Sequence, residues 1–139
     1  MTSEPAAAGR HAIILAVERD PHIRALEAFF LNEAGFGVEF AADGVAALEL
    51  ARAMKPDIII TEVLVPKLDG LALCRAVRKE PELKDTVVLV FSILAAATRA
   101  REAGADAFLM KPLAEHRLVQ TVRELLAKRR VGRPAAEPA

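Results

Sequence analysis

The stretch PDIIITEVLVPKLDG, residues 56–70, decides the fold. Its aliphatic run is apolar at consecutive positions, as in a strand buried on both faces of a parallel sheet. The run stops at Glu62, and Asp69-Gly70 then marks a turn into a helix, with Asp69 as its cap. A carboxylate closing a strand that otherwise excludes water needs a reason.

The same alternation extends along the chain. Short apolar runs, HAIILAV, VEFAA, DIIIT, VVLVFS and AFLM, alternate with amphipathic stretches near 21–34, 44–55, 70–80, 94–103 and 114–130. These are five β-α units, and helical connectors imply parallel strands with right-handed crossovers. The expected architecture is an open, doubly wound α/β sandwich. Asp20-Pro21 suits a helix start, residues 32–37 supply an exit with two glycines, and Asp43-Gly44 marks another helix entry. Leu118, Val122, Leu125 and Leu126 form an apolar stripe, followed by Lys128, Arg129 and Arg130 at the carbonyl end and Gly132 as a stop. One domain is therefore expected over 11–130, with flexible tails at 1–10 and 131–139, which are small, proline-containing and aperiodic.

Composition excludes several classes. A chain of 139 residues holds one core of ordinary size. With 19 basic and 19 acidic residues, no global field selects nucleic acid or an anionic membrane. A single cysteine, Cys74, rules out an internal disulfide framework and reads as packing within its helix. His11, His22 and His116 lack metal-ligand spacing and read as surface residues. AIILAV is too short for a signal-peptide core or a membrane span, so a cytoplasmic location is expected.

In an open α/β sheet, ligands gather outside the carboxyl ends of the strands. The residues closing the runs are Glu18, Arg19 and Asp20; Glu62; Ser92; and Lys111-Pro112. Acids, bases and a hydroxyl therefore converge on one edge. No glycine-rich phosphate loop follows the first run, where ERDPH stands instead, which argues against a nucleotide-binding enzyme.

IILAVERDPHIRAL, PDIIITEVLVPKLDGLALCRAVR, VVLVFS and AREAGADAFLMKPL, in this order, resemble the receiver domain of bacterial two-component response regulators over residues 11–128. The resemblance implies a flavodoxin-like (βα)5 fold with strand order 2-1-3-4-5. It implies an acid pair for Mg²⁺ at positions 18 and 19, a phosphoacceptor at Glu62, phosphoryl contacts from Ser92 and Lys111, and a switch aromatic at Phe108. A core role for Phe108 is an equal reading, and Ser92 could simply bond Lys111 or backbone.

Two of these positions depart from the family. Glutamate is one methylene longer than the usual aspartate, moving its oxygens by roughly 1.5 Å. A misplacement of about 1 Å can cost roughly a hundredfold in an in-line transfer. Arg19 stands where a carboxylate would contact the metal, and a guanidinium cannot ligate Mg²⁺. No cofactor is therefore expected; Glu18, Asp20 and Glu62 are weak metal candidates, with Asp20 better read as a helix cap. Glu18, Glu62, Arg19 and Lys111 sum to zero charge, and Arg19 is expected to fill the ion's space, with it or Lys111 bridging to Glu62. Ile93 narrows donor access, and the 18 residues between Ser92 and Lys111 imply a shortened fourth helix or entry loop.

The expected function is a phosphorylation-independent pseudo-receiver, not an enzyme, that binds a sensor kinase or output protein or forms a homodimer. It is set against a working phosphoacceptor and a DNA-associated adaptor using the tail KRRVGRPA, in which Val131 interrupts an AT-hook-like pattern. The sequence carries no recognisable output domain, so the response passes to another protein or the chain is a fragment.

Overall fold

The computed structural model describes residues 12–132. Five strands and five helices alternate: β1 (Ile13–Val17), α1 (Pro21–Glu33), β2 (Gly37–Ala41), α2 (Gly44–Met54), β3 (Ile58–Thr61), α3 (Gly70–Lys79), β4 (Val87–Ser92), α4 (Ala97–Glu102), β5 (Ala107–Met110) and α5 (Glu115–Gly132). A 3₁₀ turn, Pro81–Leu83, follows α3. All pairings are parallel, in the order β2-β1-β3-β4-β5, as the resemblance implies. The order reverses between β1 and β3, which opens a crevice at their carboxyl ends.

The consecutive apolar positions are explained by the two faces of the sheet. Successive strand residues point to opposite sides. Leu15, Ile59, Val88 and Val90 face α2, α3 and α4, packing on Ala47, Ala51, Leu73, Cys74, Val77 and Ala100. Ile14, Ile58, Ile60, Leu89 and Phe91 face α1 and α5, meeting Leu31, Leu118, Val122 and Leu126. The apolar stripe predicted for the last helix is thus one wall of the second core, with Leu125 packed against its margin. Cys74 is fully buried, and burial pushes its thiol up to about 11, so it packs as a small apolar group.

Aspartates start three helices. Asp20 accepts from the His22 N–H at 2.9 Å, Asp43 from Ala46 at 2.7 Å and Asp69 from Ala72 at 2.8 Å. Each cap contributes about 1 kcal/mol. Gly35 leaves α1 in the left-handed region at φ 98°. The fourth helix is six residues long, starts at Ala97 rather than near 94 and has no side-chain cap.

Other expectations are only partly visible. The final helix continues through Val131 to Gly132, past the boundary placed at 130. The tail 1–10, His11 and residues 133–139 lie outside the described residues, as does the Arg130 side chain. Among the described residues, no helix is long and apolar enough to cross a membrane.

Candidate functional site

Register brings the site together. Val17 pairs with Thr61, Thr61 with Val90 and Ser92 with Met110, so four strands end on nearly one line. The ladder runs one residue further: the Glu62 N–H donates to Val17 O at 3.1 Å and the Lys111 N–H to Ser92 O at 2.8 Å. Glu18, Glu62, Ser92 and Lys111 therefore meet at the carboxyl edge. Gly70 holds the loop after β3 close, its N–H donating to Val63 O at 2.9 Å, and a Cβ there would collide with the Glu62 carbonyl.

Glu62 is buried and saturated. Its Oε2 accepts from the Val63 and Leu64 N–H groups at 2.7 and 3.2 Å and from the Ser92 hydroxyl. Its Oε1 accepts from the Ile93 N–H at 3.3 Å and from Lys111 Nζ at 3.0 Å. Burial alone would raise this carboxyl. The bonds from Ser92, Lys111 and Leu64, together with the lysine charge, outweigh burial and hold it below the usual carboxylate range.

Lys111 is the hub. Its Nζ also lies 2.6 Å from Glu18 Oε1 and 5.3 Å from the centre of the Phe91 ring. Burial favours the neutral amine, but hydrogen bonds to Glu18 and then Glu62 overcome it, and the ammonium is held above its ordinary value. Glu18 is itself buried, and its other oxygen accepts the Asp20 N–H at 3.0 Å. The peptide between Lys111 and Pro112 is cis.

Arg19 does not fill an ion's space. It is exposed in the β1–α1 turn and forms no ion pair among the described residues, while Lys111 holds both carboxylates. Lys111 alone bridges the two carboxylates. The local sum is therefore minus one, from Glu18, Glu62 and Lys111, and not the zero that included Arg19. Ser92 meets its plainer expectation in part: its hydroxyl accepts from the Leu94 backbone N–H at 3.1 Å, but it donates to Glu62 and not to Lys111.

The remaining candidates are dispersed. Asp20 is exposed and committed to its helix cap, and His22 and His116 are exposed. Phe108 is half-buried against the core that contains α4, and with Met110 it lines a shallow hollow beside that helix. Ile93 is 58 % exposed at the rim of the site. The donor set does not fit a resident Mg²⁺: Arg19 cannot ligate it, and Glu18 and Glu62 each give an oxygen to the Lys111 ammonium. Among the described residues, no group of three His, Cys, Asp or Glu side chains is placed to hold a metal.

Sequence reasoning missed Glu27. This buried acid lies on α1 near Lys111, and its Oε1 has no hydrogen-bond partner. The signal was the spacing Ile23, Glu27, Leu31, which puts a carboxyl on the buried stripe of the helix.

The family profile described as response regulator receiver domain matches residues 14–123, a span that runs from β1 into α5 and includes all four side chains of the edge. The chain belongs to the response regulator receiver family. Response regulator MprA of Mycobacterium leprae is 36 % identical over 118 residues, covering 83 % of this chain and 51 % of that protein. This receiver domain thus spans about half the length of the curated relatives it matches. Chemotaxis response regulator CheY4 of Vibrio cholerae is similar at 31 % identity and TM-score 0.79, over 83 % of this chain and 98 % of that one. The receiver domain of a signal transduction histidine kinase from Syntrophus aciditrophicus is 34 % identical with TM-score 0.79, over 84 % and 91 %. Receiver domains are signalling modules of two-component systems, working with histidine kinases and output domains.

Proposed function

We propose that this receiver domain works without phosphorylation, as a protein-binding module whose switch is set by Glu62 itself. One observation carries the reading: the Glu62 carboxylate holds both Ser92 and Lys111, the two groups that the family places on a phosphoryl group. A carboxylate offers roughly four lone-pair sites, and here five donors surround its two oxygens. Nucleophilic attack would require stripping donors from an already stabilised anion, with an oxygen displaced by roughly 1.5 Å relative to aspartate. The negative charge at the acceptor position is permanent, though smaller than the roughly minus two of a phosphoryl group. With neither phosphoryl transfer nor a resident metal, the domain is no catalyst, and its output is binding to a sensor kinase or output protein.

Intact-mass spectrometry after incubation with acetyl phosphate and Mg²⁺ tests this directly. The expected result is an unchanged mass. A stoichiometric phosphoryl increment mapped to Glu62 overturns the reading in favour of a working phosphoacceptor.

A further inference from the structure

Beside the ion cluster, α1 and the start of α5 border a cavity of about 350 Å³, partly open to solvent and lined by Ile23, Leu26, Phe30, Phe91, Ile93 and Leu118. Its volume lies within the range of small-molecule pockets, which pair apolar walls with a few polar groups. The polar groups here are Glu27, Lys111 and Glu115. Glu27 is only 4 % exposed, and its Oε1 accepts no hydrogen bond among the described residues. A buried carboxyl oxygen left unpartnered is costly, and the Glu18–Lys111–Glu62 arrangement makes no use of it.

Charge selects the ligand. Lys111 has its ammonium committed to Glu18 at 2.6 Å and Glu62 at 3.0 Å, which leaves those three groups at minus one. Glu115, at the start of α5, adds a second negative charge to the lining. Glu18, Glu62, Lys111 and Glu115 therefore sum to a formal minus two even with Glu27 neutral, a balance that disfavours an anion and favours a cation. The Phe30 and Phe91 rings in the wall also favour an ammonium head over a neutral one.

We propose that this cavity binds a small apolar monoamine, its ammonium paired with the Glu27 carboxylate and its hydrocarbon part packed on Ile23, Leu26 and Phe30. Burial, then the charge of Glu18, holds the free Glu27 carboxyl up at about 8; Glu62 adds to this and Lys111 opposes it. At neutral pH the ammonium therefore displaces the Glu27 proton to solvent. The site is independent of the fixed-switch reading, since either outcome of phosphorylation leaves the cavity and Glu27 in place.

The test is calorimetry of benzylamine binding at pH 7 in two buffers of different ionisation enthalpy, with amide NMR on the same samples. Saturable binding is expected, with release of nearly one proton and shifts at Ile93 and along residues 26–30. Benzyl alcohol and benzoate should bind at least about tenfold more weakly, and Glu27→Gln should weaken benzylamine by at least about tenfold and abolish proton release. Circular dichroism checks that the variant is folded; the probe series on the unaltered protein stands if it is not. Benzyl alcohol binding as tightly as benzylamine would make this a neutral-amphiphile site. Absence of saturable shifts from every probe would assign the groove to a protein surface instead. Either result, or full affinity in folded Glu27→Gln, overturns the proposal.

Discussion

Lys111 Nζ lies 2.6 Å from Glu18 Oε1 and 3.0 Å from Glu62 Oε1, so one ammonium ties together the ends of β1, β3 and β5. All three side chains are at most 7 % exposed. Removing the cation leaves two buried carboxylates facing each other. Lys111→Met is expected to lose about 3–5 kcal/mol of stability at neutral pH, measured by urea unfolding. Glu62 is depressed, so its contribution is present above the unfolded value of 4.5 and is lost as pH falls through the folded one. Lys111 is raised, so its contribution is complete below 10.5 and is lost as pH rises through the folded value. The deficit of the variant should therefore be widest between those limits and shrink in acid.

Under the proposed reading, Glu62 and Arg19 are the two residues that depart from the family, at the acceptor and metal positions that the resemblance implies. The double substitution Glu62→Asp with Arg19→Asp shortens the acceptor and supplies an oxygen ligand where a guanidinium stands. Mass spectrometry with acetyl phosphate should then detect a Mg²⁺-dependent phosphoryl increment that neither the unaltered chain nor Glu62→Asp alone acquires. No increment in the folded double variant would locate the block elsewhere, with Ile93 at the rim as the next position to change.

Glu27 sets a pH slope of its own. Its carboxyl is raised from 4.5 to about 8, so the folded state keeps a proton that the unfolded chain gives up. Stability from this group is complete below 4.5 and declines as pH rises towards 8, at about 1.4 kcal/mol per unit for one full proton. Glu27→Gln removes that decline. Urea unfolding at intervals from pH 5 to 9 should find the variant gaining on the parent as pH rises; parallel curves would place the Glu27 proton outside this range.

Gly70 joins the fold to the site through backbone. A Cβ on it would meet the carbonyl oxygen of Glu62 and the backbone of Val63. Gly70→Ala must push the β3–α3 loop outward, and overpacking of this kind costs about 1–3 kcal/mol. Because the Val63 and Leu64 N–H groups hold Glu62 Oε2, the same change should shift the Glu62 carboxyl resonance in NMR, whereas an alanine at the distant, open Gly35 should leave that resonance in place.

The architecture was legible because its signals are local. Asp20, Asp43 and Asp69 cap the helices they precede, and consecutive aliphatics at 58–60 report two covered faces whatever packs on them. The site was legible in part, since the residue that closes each parallel strand must lie at the carboxyl edge. The partner of each charge was not legible. Arg19 and Lys111 are equally basic as letters, yet the turn after β1 directs Arg19 to solvent while the step beyond β5 carries Lys111 between Glu18 and Glu62.

By itself, then, the sequence determined five βα units, their parallel sense, and a carboxylate, Glu62, closing the third strand. Only the tertiary structure decided that Glu62 is saturated by five donors, that the bridging cation is Lys111, and that Glu27 is buried beside an apolar cavity without a partner for one oxygen. The physical reason is range. Helix caps and strand burial follow from neighbours a few residues away, whereas ion pairing follows from which strand ends the sheet sets side by side: Lys111 is 93 residues from Glu18 along the chain and 2.6 Å from it in space.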